Sequence, residues 1–322
     1  MPNEIVIIAG PPAGGKSTVV QEYTRQGYTR INRDEIGGSL KAGSDSYKIL
    51  RQEFLEGSRR FVLDNVYATA ESRAPVIALG KELGLPVGCV WLATTREQAQ
   101  FFAARRQVQR YGRILRVEEY KTHRGDPNMF PPVVQFAYWK KVQEPMLAEG
   151  LAWVTHRKTT ITLGQEYKNR ALIFDYDGTL RLTKSGRPYP NDPEDVVLMD
   201  RRRDLIQRRE KEGWHILGAS NQSGISKEPG EDKYVSEAGA IRCFERTNEL
   251  LGVKIDYIYS SERGGVPQTY WPKPMPGMGV YFIEKYRLDP QQTIYVGDMT
   301  KDRTFAERCG FQFALASEFF GD

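Results

Sequence analysis

Two groups of residues have the types and spacing that phosphoryl chemistry requires. The first is Gly10-Pro11-Pro12-Ala13-Gly14-Gly15-Lys16-Ser17, which fits G-x-x-x-x-G-K-[ST]. The apolar run 5–9 precedes it, and residues 18–23 can open a helix after it. In that context Gly10, Gly14 and Gly15 let backbone N–H groups close around phosphate oxygens, helped by the helix N-terminus at Thr18. Lys16 then reaches the β- and γ-phosphates of ATP, and Ser17 holds Mg²⁺. The plain alternative is a glycine-rich turn that matches by chance, which the flanking strand and helix disfavour.

The second group begins at Leu172-Ile173-Phe174-Asp175-Tyr176-Asp177-Gly178-Thr179-Leu180. Two carboxylates one residue apart at the end of an apolar strand repel each other unless a cation lies between them. The pair suits Mg²⁺-assisted attack by Asp175 on a phosphate monoester, forming an aspartyl-phosphate, with Asp177 as acid and then as base. The rest follows in order. Ser220 and Asn221 are placed to hydrogen-bond the transferring phosphoryl, and Lys273 to neutralise the charge of nucleophile and phosphate. Asp298 completes the magnesium site through oxygen ligation, and Asp302 joins that set, orienting Lys273 or a metal-bound water. Singly, Ser220 reads as a turn hydroxyl, Lys273 as a surface lysine and Asp302 as a helix cap. As an ordered set at successive strand ends they read as one site.

The acceptor side of the first group is less specific. Ile31-Asn32-Arg33-Asp34 delivers a carboxylate after a short first helix. Asp34 could accept the proton of an attacking hydroxyl, or simply cap the following helix, and spacing leaves both open. Arg33 beside it and Asp64, at the end of the run 61–63, are candidate substrate contacts, although Asp64 serves equally as a turn-former. Residues 96–124 hold eight Lys or Arg against three Glu and read as a basic lid, in which Arg105 and Arg106 are the candidate catalytic arginines. Most of that run also reads as a solvated helix face.

The elements that must carry these groups are visible as short apolar runs at 5–9, 61–63, 88–92, 172–174, 215–217, 257–259 and 293–296. Stretches of mixed charge with helical spacing, such as 201–212 and 241–250, lie between them. The pattern predicts an α/β protein of two consecutive domains built on parallel sheets. The first, a P-loop kinase domain, covers 1–158; 159–169 is the linker; a Rossmann-like phosphatase domain covers 170–322. The 322-residue length agrees with two domains. The overall charge, 46 Lys+Arg against 41 Asp+Glu, is too mild to name a partner. Three widely spaced cysteines exclude a disulfide framework, and the opening apolar run is too short for a membrane span. The expectation is a soluble protein of the cytoplasm, or of the nucleus in a eukaryote.

The first half resembles the kinase domain of polynucleotide 5′-kinase/3′-phosphatases, the end-healing enzymes of phages and animals. The likeness rests on the P-loop, Asn32-Arg33-Asp34 with Gly37, Leu63-Asp64-Asn65, Thr95-Arg96-Glu97-Gln98-Ala99 and residues 144–150. It implies that Asp34 is the general base for a polynucleotide 5′-hydroxyl and that Arg105 or Arg106 contacts the nucleotide phosphates. The second half resembles the haloacid dehalogenase superfamily of phosphatases. Ser220-Asn221-Gln222-Ser223-Gly224-Ile225 and Lys273-Pro274 with Gly277-Met278 resemble its histidinol-phosphatase-like branch, which holds sugar-bisphosphate phosphatases as well as 3′-phosphatases. Residues 260–270 contain no cysteine, unlike the zinc loop of many bacterial sugar-bisphosphatases, and residues 184–190 resemble the animal end-healing phosphatases. The resemblance implies nucleic-acid ends, a 5′-OH and a 3′-phosphate, as substrates, with a ligase as a conceivable partner. Two alternatives stand beside it: a small-molecule kinase fused to a sugar-phosphate phosphatase, and a non-catalytic nucleic-acid-binding adaptor. Intact Lys16, Ser17, Asp175 and Asp177 speak against the adaptor.

Overall fold

Runs of β-branched and apolar residues that cannot face water on either side pair here into two parallel sheets. The computed structural model describes residues 2–32, 45–123 and 125–322. It forms two compact units, Met1–Ala103 with His123–Ile161, and Ala104–Thr122 with Thr162–Asp322.

The first unit holds β1 (Glu4–Ala9), β2 (Thr29–Asn32), β3 (Arg60–Asp64), β4 (Val87–Leu92) and β5 (Trp153–Arg157). Their order is β2-β3-β1-β4-β5, every neighbouring pair parallel. β1 is buried throughout, so its alternate residues supply two cores. Ile5, Ile7 and Ala9 join Leu63 and Cys89 on one face, while Val6 and Ile8 join Val62 and Val90 on the other. Helix α1 (Lys16–Arg25) covers the second face through Val19 and Val20. Among the described residues, α2 (Asp45–Leu55), α3 (Ala70–Leu83) and α5 (Pro132–Lys141) belong to this unit as well, and α4 (Arg96–Tyr111) begins in it. Arg73 of α3 is fully buried and meets Glu149 through a two-pronged ion pair, Nε to Oε2 at 2.7 Å and Nη2 to Oε1 at 2.6 Å.

The second unit holds β6 (Asn169–Phe174), β9 (His215–Asn221), β10 (Asp256–Ser260), β11 (Leu288–Gly297) and β12 (Gln312–Leu315), ordered β10-β9-β6-β11-β12 and again parallel. An antiparallel hairpin of β7 (Arg181–Thr183) and β8 (Val196–Leu198) follows the Asp175–Asp177 turn. Its helices include α6 (Arg202–Lys211), α7 (Glu237–Leu251), α8 (Gly277–Tyr286), α9 (Thr300–Cys309) and α10 (Ala316–Phe320). Leu172, Phe174, Phe244 and Val296 lie in its core.

The sequence expectation and the structure part company in places with a physical cause. The polar stretch after 155 begins inside β5, an edge strand whose last three residues are exposed and therefore tolerate His156 and Arg157. Thr159 is held by the first unit, its hydroxyl 2.7 Å from that of Thr94 and its carbonyl accepting from Gln98 Nε2 at 2.7 Å. The unit boundary also falls within α4, between Ala103 and Ala104. Residues 104–122, grouped with the first domain on sequence grounds, pack with the second unit because Arg105 pairs with Glu284 there. Cys89, Cys243 and Cys309 are all buried thiols. Among the described residues no helix is long and apolar enough to cross a membrane.

Candidate active sites

In the first unit, β1 ends at Ala9 and α1 starts at Lys16, so the glycine-rich loop spans the C-terminal edge of the central strand. Such an edge, where strand carbonyl ends meet helix N-termini, is where α/β sheets bind phosphate. The loop is folded tightly. Gly14 N–H donates to Pro11 O at 2.9 Å, and a Cβ on Gly14 would lie 2.8 Å from that oxygen. Lys16 Nζ donates to the carbonyls of Pro11 at 2.8 Å and Gly10 at 3.2 Å, which holds its ammonium over the loop. Ser17 and Thr18 are exposed at the helix start. The loop carbonyls are braced from outside: Thr94 Oγ1 donates to Gly14 O at 2.9 Å, and Gln135 Nε2 to Pro12 O at 3.1 Å. With the Gly14 and Pro12 carbonyls held by these donors, a basic side chain and a helix N-terminus remain to face a polyphosphate. The residues fit ATP. Thr94 and Gln135 carried no local signal, since their role depends on partners 80 and 123 positions away.

The other residues singled out in this half are placed differently. Asp64 stands at the end of β3, beside β1, but its Oδ2 accepts from Arg30 Nη2 at 2.7 Å and Asn32 Nδ2 at 3.1 Å, so it anchors β2. Arg33 and Asp34 lie outside the described residues. Arg105, expected over the P-loop, gives Nε to Glu284 Oε1 at 2.6 Å and Nη2 to the Tyr167 hydroxyl at 3.3 Å within the second unit. Arg106 is half-buried in that unit as well.

In the second unit, β6 and β11 pair so that their C-termini present Asp175 and Asp298 side by side. Carboxylate oxygens of Asp175, Asp298 and Asp302 lie within 4.8 Å of one another. Gly178 makes room for this: its φ is +79°, and a Cβ there would fall 2.5 Å from Asp298 Oδ2. Burial raises the pKa of Asp298 first, and the like charges of Asp175 and Asp302 raise it further. Repulsion of this kind is what a divalent cation relieves, and an all-oxygen set suits Mg²⁺. Lys273 enters from the loop before α8, fully buried, with Nζ 2.9 Å from Asp175 Oδ1 and 2.8 Å from Asp302 Oδ1. Burial works against its charge, but the two carboxylates outweigh it and hold the ammonium above the ordinary lysine range. Tyr295 Oη accepts a third bond from Nζ at 2.7 Å and reaches Ala219 O at 3.1 Å.

The side chain of Asp177, expected with Asp175 at the metal, stands outside this acidic cluster. Its Oδ1 accepts from Arg181 Nε and its Oδ2 from Gln222 Nε2, both at 2.8 Å. Gln222 Nε2 also donates to Ser220 Oγ at 3.0 Å. The Ser220 oxygen is thereby an acceptor, and its own O–H is left as a donor for a phosphoryl group. Asn221, expected to touch the phosphoryl, is bonded to the backbone of Lys273. Its Nδ2 donates to Lys273 O at 2.7 Å and its Oδ1 accepts from Lys273 N at 2.9 Å, a two-way clasp that sets the lysine's backbone. Arg181 and Tyr295 have nothing in their spacing that marks them, and Gln222 was visible only as part of the segment 220–225, with no role of its own.

Residues 170–320 match the family described as polynucleotide kinase 3 phosphatase, and residues 5–121 match the family described as AAA domain. A probable D-glycero-D-manno-heptose-1,7-bisphosphate 7-phosphatase of Thermoplasma volcanium is 29% identical over 150 residues, 45% of this chain and 97% of that protein. The D-glycero-D-manno-heptose-1,7-bisphosphate 7-phosphatase of Thermosynechococcus vestitus is 31% identical over 167 residues, 47% of this chain and 81% of that protein. A bifunctional polynucleotide phosphatase/kinase of Schizosaccharomyces pombe is 33% identical over 98 residues, 30% of this chain and only 23% of its own length.

Proposed function

This chain belongs to the polynucleotide kinase 3 phosphatase family over residues 170–320 and joins that phosphatase domain to a P-loop kinase domain, and on that premise we propose that it heals nucleic-acid ends. It transfers the γ-phosphate of ATP to a polynucleotide 5′-hydroxyl and hydrolyses a 3′-phosphate. The observation that carries this reading is the presence on one chain of a phosphate-cradling loop and a phosphomonoesterase cluster, one adding phosphate and one removing it. Acting on a single small metabolite the two would cancel. On the two ends of a broken strand they complement each other and leave ends suited to a ligase. The likeness to the fission-yeast phosphatase/kinase supports the same reading.

In the kinase half, Lys16 meets the β- and γ-phosphates, Ser17 would hold Mg²⁺, and Asp34 takes the proton of the attacking hydroxyl. In the phosphatase half, Asp175 and Asp298 would hold Mg²⁺, with Asp302 behind them on Lys273. When bound, the ion offsets the negative charge gathered between nucleophile and phosphate. Asp175 attacks phosphorus while Lys273 and the Ser220 O–H hold the charge developing on the phosphoryl oxygens. Asp177 protonates the departing sugar oxygen and then takes a proton from the water that releases phosphate from Asp175.

A 5′-OH/3′-phosphate oligonucleotide given with ATP and Mg²⁺ tests the reading: the 5′ end gains a phosphate and the 3′ end loses one. The second reading, a small-molecule kinase fused to a sugar-phosphate phosphatase, draws on the heptose-bisphosphatase relatives. Turnover of a heptose bisphosphate with both oligonucleotide ends untouched would establish it and overturn the first.

A further inference from the structure

Asp177 is held by two donors that come from separate elements, one to each of its oxygens. Arg181 opens β7 and is 1% exposed, and besides Nε on Asp177 its Nη1 donates to Thr247 Oγ1 of α7 at 3.1 Å. Its guanidinium sits 5.2 Å from the Tyr176 ring centre and 4.9 Å from that of Phe244. Walled in by rings in this way, the guanidinium keeps its Nε fixed on the Asp177 oxygen at 2.8 Å. Gln222 follows β9, is 6% exposed, and has its own backbone N–H on Ser260 O at 2.7 Å. A carboxylate with one anchor turns about its χ angles. With a donor on each oxygen, both fixed by further bonds, it has one orientation.

We infer that Arg181 and Gln222 are positioning residues that aim the Asp177 carboxyl at the leaving oxygen. The inference rests on the phosphatase half of the reading above. Gln222 does more than steady one group. Its two amide hydrogens go to Asp177 and to Ser220, so the proton donor and the hydroxyl that grips the phosphoryl are set by the same amide. Both ends of the bond to be broken are thereby registered to one side chain.

The chemistry makes the arrangement testable. In the first step an Asp175 oxygen bonds to phosphorus, the bond from phosphorus to the ester oxygen breaks, and that oxygen takes its proton from Asp177. In the second, water bonds to phosphorus and yields a proton to Asp177, and inorganic phosphate leaves Asp175. A sugar oxygen needs the proton in the first step, whereas nitrophenolate departs without it. Both esters share the second step.

Gln222→Leu, close to isosteric, and Arg181→Lys, which keeps the buried charge, are compared with wild type on a 3′-phosphorylated oligonucleotide and on p-nitrophenyl phosphate. With the oligonucleotide, kcat falls about 100-fold at nearly constant KM. With p-nitrophenyl phosphate the first turnover keeps its rate, and a burst of nitrophenolate approaching one per enzyme appears, because release from Asp175 has become limiting. Equal losses on both esters without a burst would mean that the two residues only maintain the fold, and unchanged rates would mean that Asp177 needs no aiming; either overturns the inference. Should Arg181→Lys not fold, Gln222→Leu carries the comparison alone. A wild-type protein that clears a sugar phosphate but not the oligonucleotide overturns the nucleic-acid reading, and the same comparison, made with that sugar phosphate, still decides the role of the two residues.

Discussion

Lys273 Nζ lies 2.9 Å from Asp175 Oδ1, and the two side chains are among the buried charged groups of the second unit. The ammonium sits between the nucleophile and Asp302, so it is counter-ion to both. Lys273→Met leaves two carboxylates facing each other out of water. The expected result is loss of phosphatase activity by about 100-fold or more and destabilisation of about 3–5 kcal/mol, read by denaturant melts. Transfer of phosphate from ATP to a 5′-hydroxyl persists.

Gly14→Ala should close the phosphate cradle. The new methyl falls 2.8 Å from Pro11 O and 2.9 Å from the Pro11 ring, and neither neighbour is a flexible side chain. Isothermal titration should show nucleotide binding lost, while hydrolysis of a phosphate monoester stays at the wild-type rate.

The three clustered carboxylates predict a thermal response to magnesium. An ion accepted by Asp175 and Asp298 removes the repulsion that, after burial, raises the pKa of Asp298. Calorimetry should record a higher melting temperature in Mg²⁺ than in EDTA. In Asp298→Asn that difference shrinks or disappears, and chelation abolishes phosphatase turnover in the wild type.

The two activities should separate by single substitutions. Asp34→Asn stops transfer from labelled ATP to a 5′-hydroxyl oligonucleotide and spares 3′-phosphate removal, and Asp175→Asn does the reverse. If both variants lost both activities, independence of the two sites would be wrong.

Glu149 predicts the acid response of the first unit. Burial works to raise its pKa, but the bonds from Arg73 and from the Met146 N–H outweigh it and hold the group below its ordinary 4.5. A depressed carboxyl contributes stability at neutral pH that is lost as pH falls below 4.5 and through the folded value. Melting midpoints of wild type and Glu149→Gln should therefore lie well apart at neutral pH and converge in acid. Equal spacing at both would rule the pair out as a source of acid lability.

Strands buried on both faces were legible because their composition has no alternative: Ile5 to Ala9 or Leu172 to Phe174 can only be central. The edge strand β5 was not, since it carries His156 and Arg157 on exposed positions and reads as a polar connection. The same division runs through the sites. That Lys16 opens the helix after the glycine-rich loop, and that Lys273 meets Asp175, could be anticipated because phosphoryl chemistry restricts both type and order. Asn221, Asp64 and Arg105 have suitable types, but the fold uses them to hold Lys273, Arg30 and Glu284. Gln222 and Tyr295 act through contacts that only the closed sheet creates, so no local pattern could have assigned their roles.

The buried thiols turn the protein into its own opening gauge. Burial pushes the pKa of Cys89 up to about 12 and that of Cys243 up to about 11, so at neutral pH almost no thiolate meets an alkylating reagent. Cys89 lies mid-strand in β4, Cys243 on α7 and Cys309 on α9. Labelling of Cys89 therefore times exposure of the first core, and labelling of the other two times exposure of the second. One alkylation series followed by peptide mapping would show which half opens first, without any engineered probe.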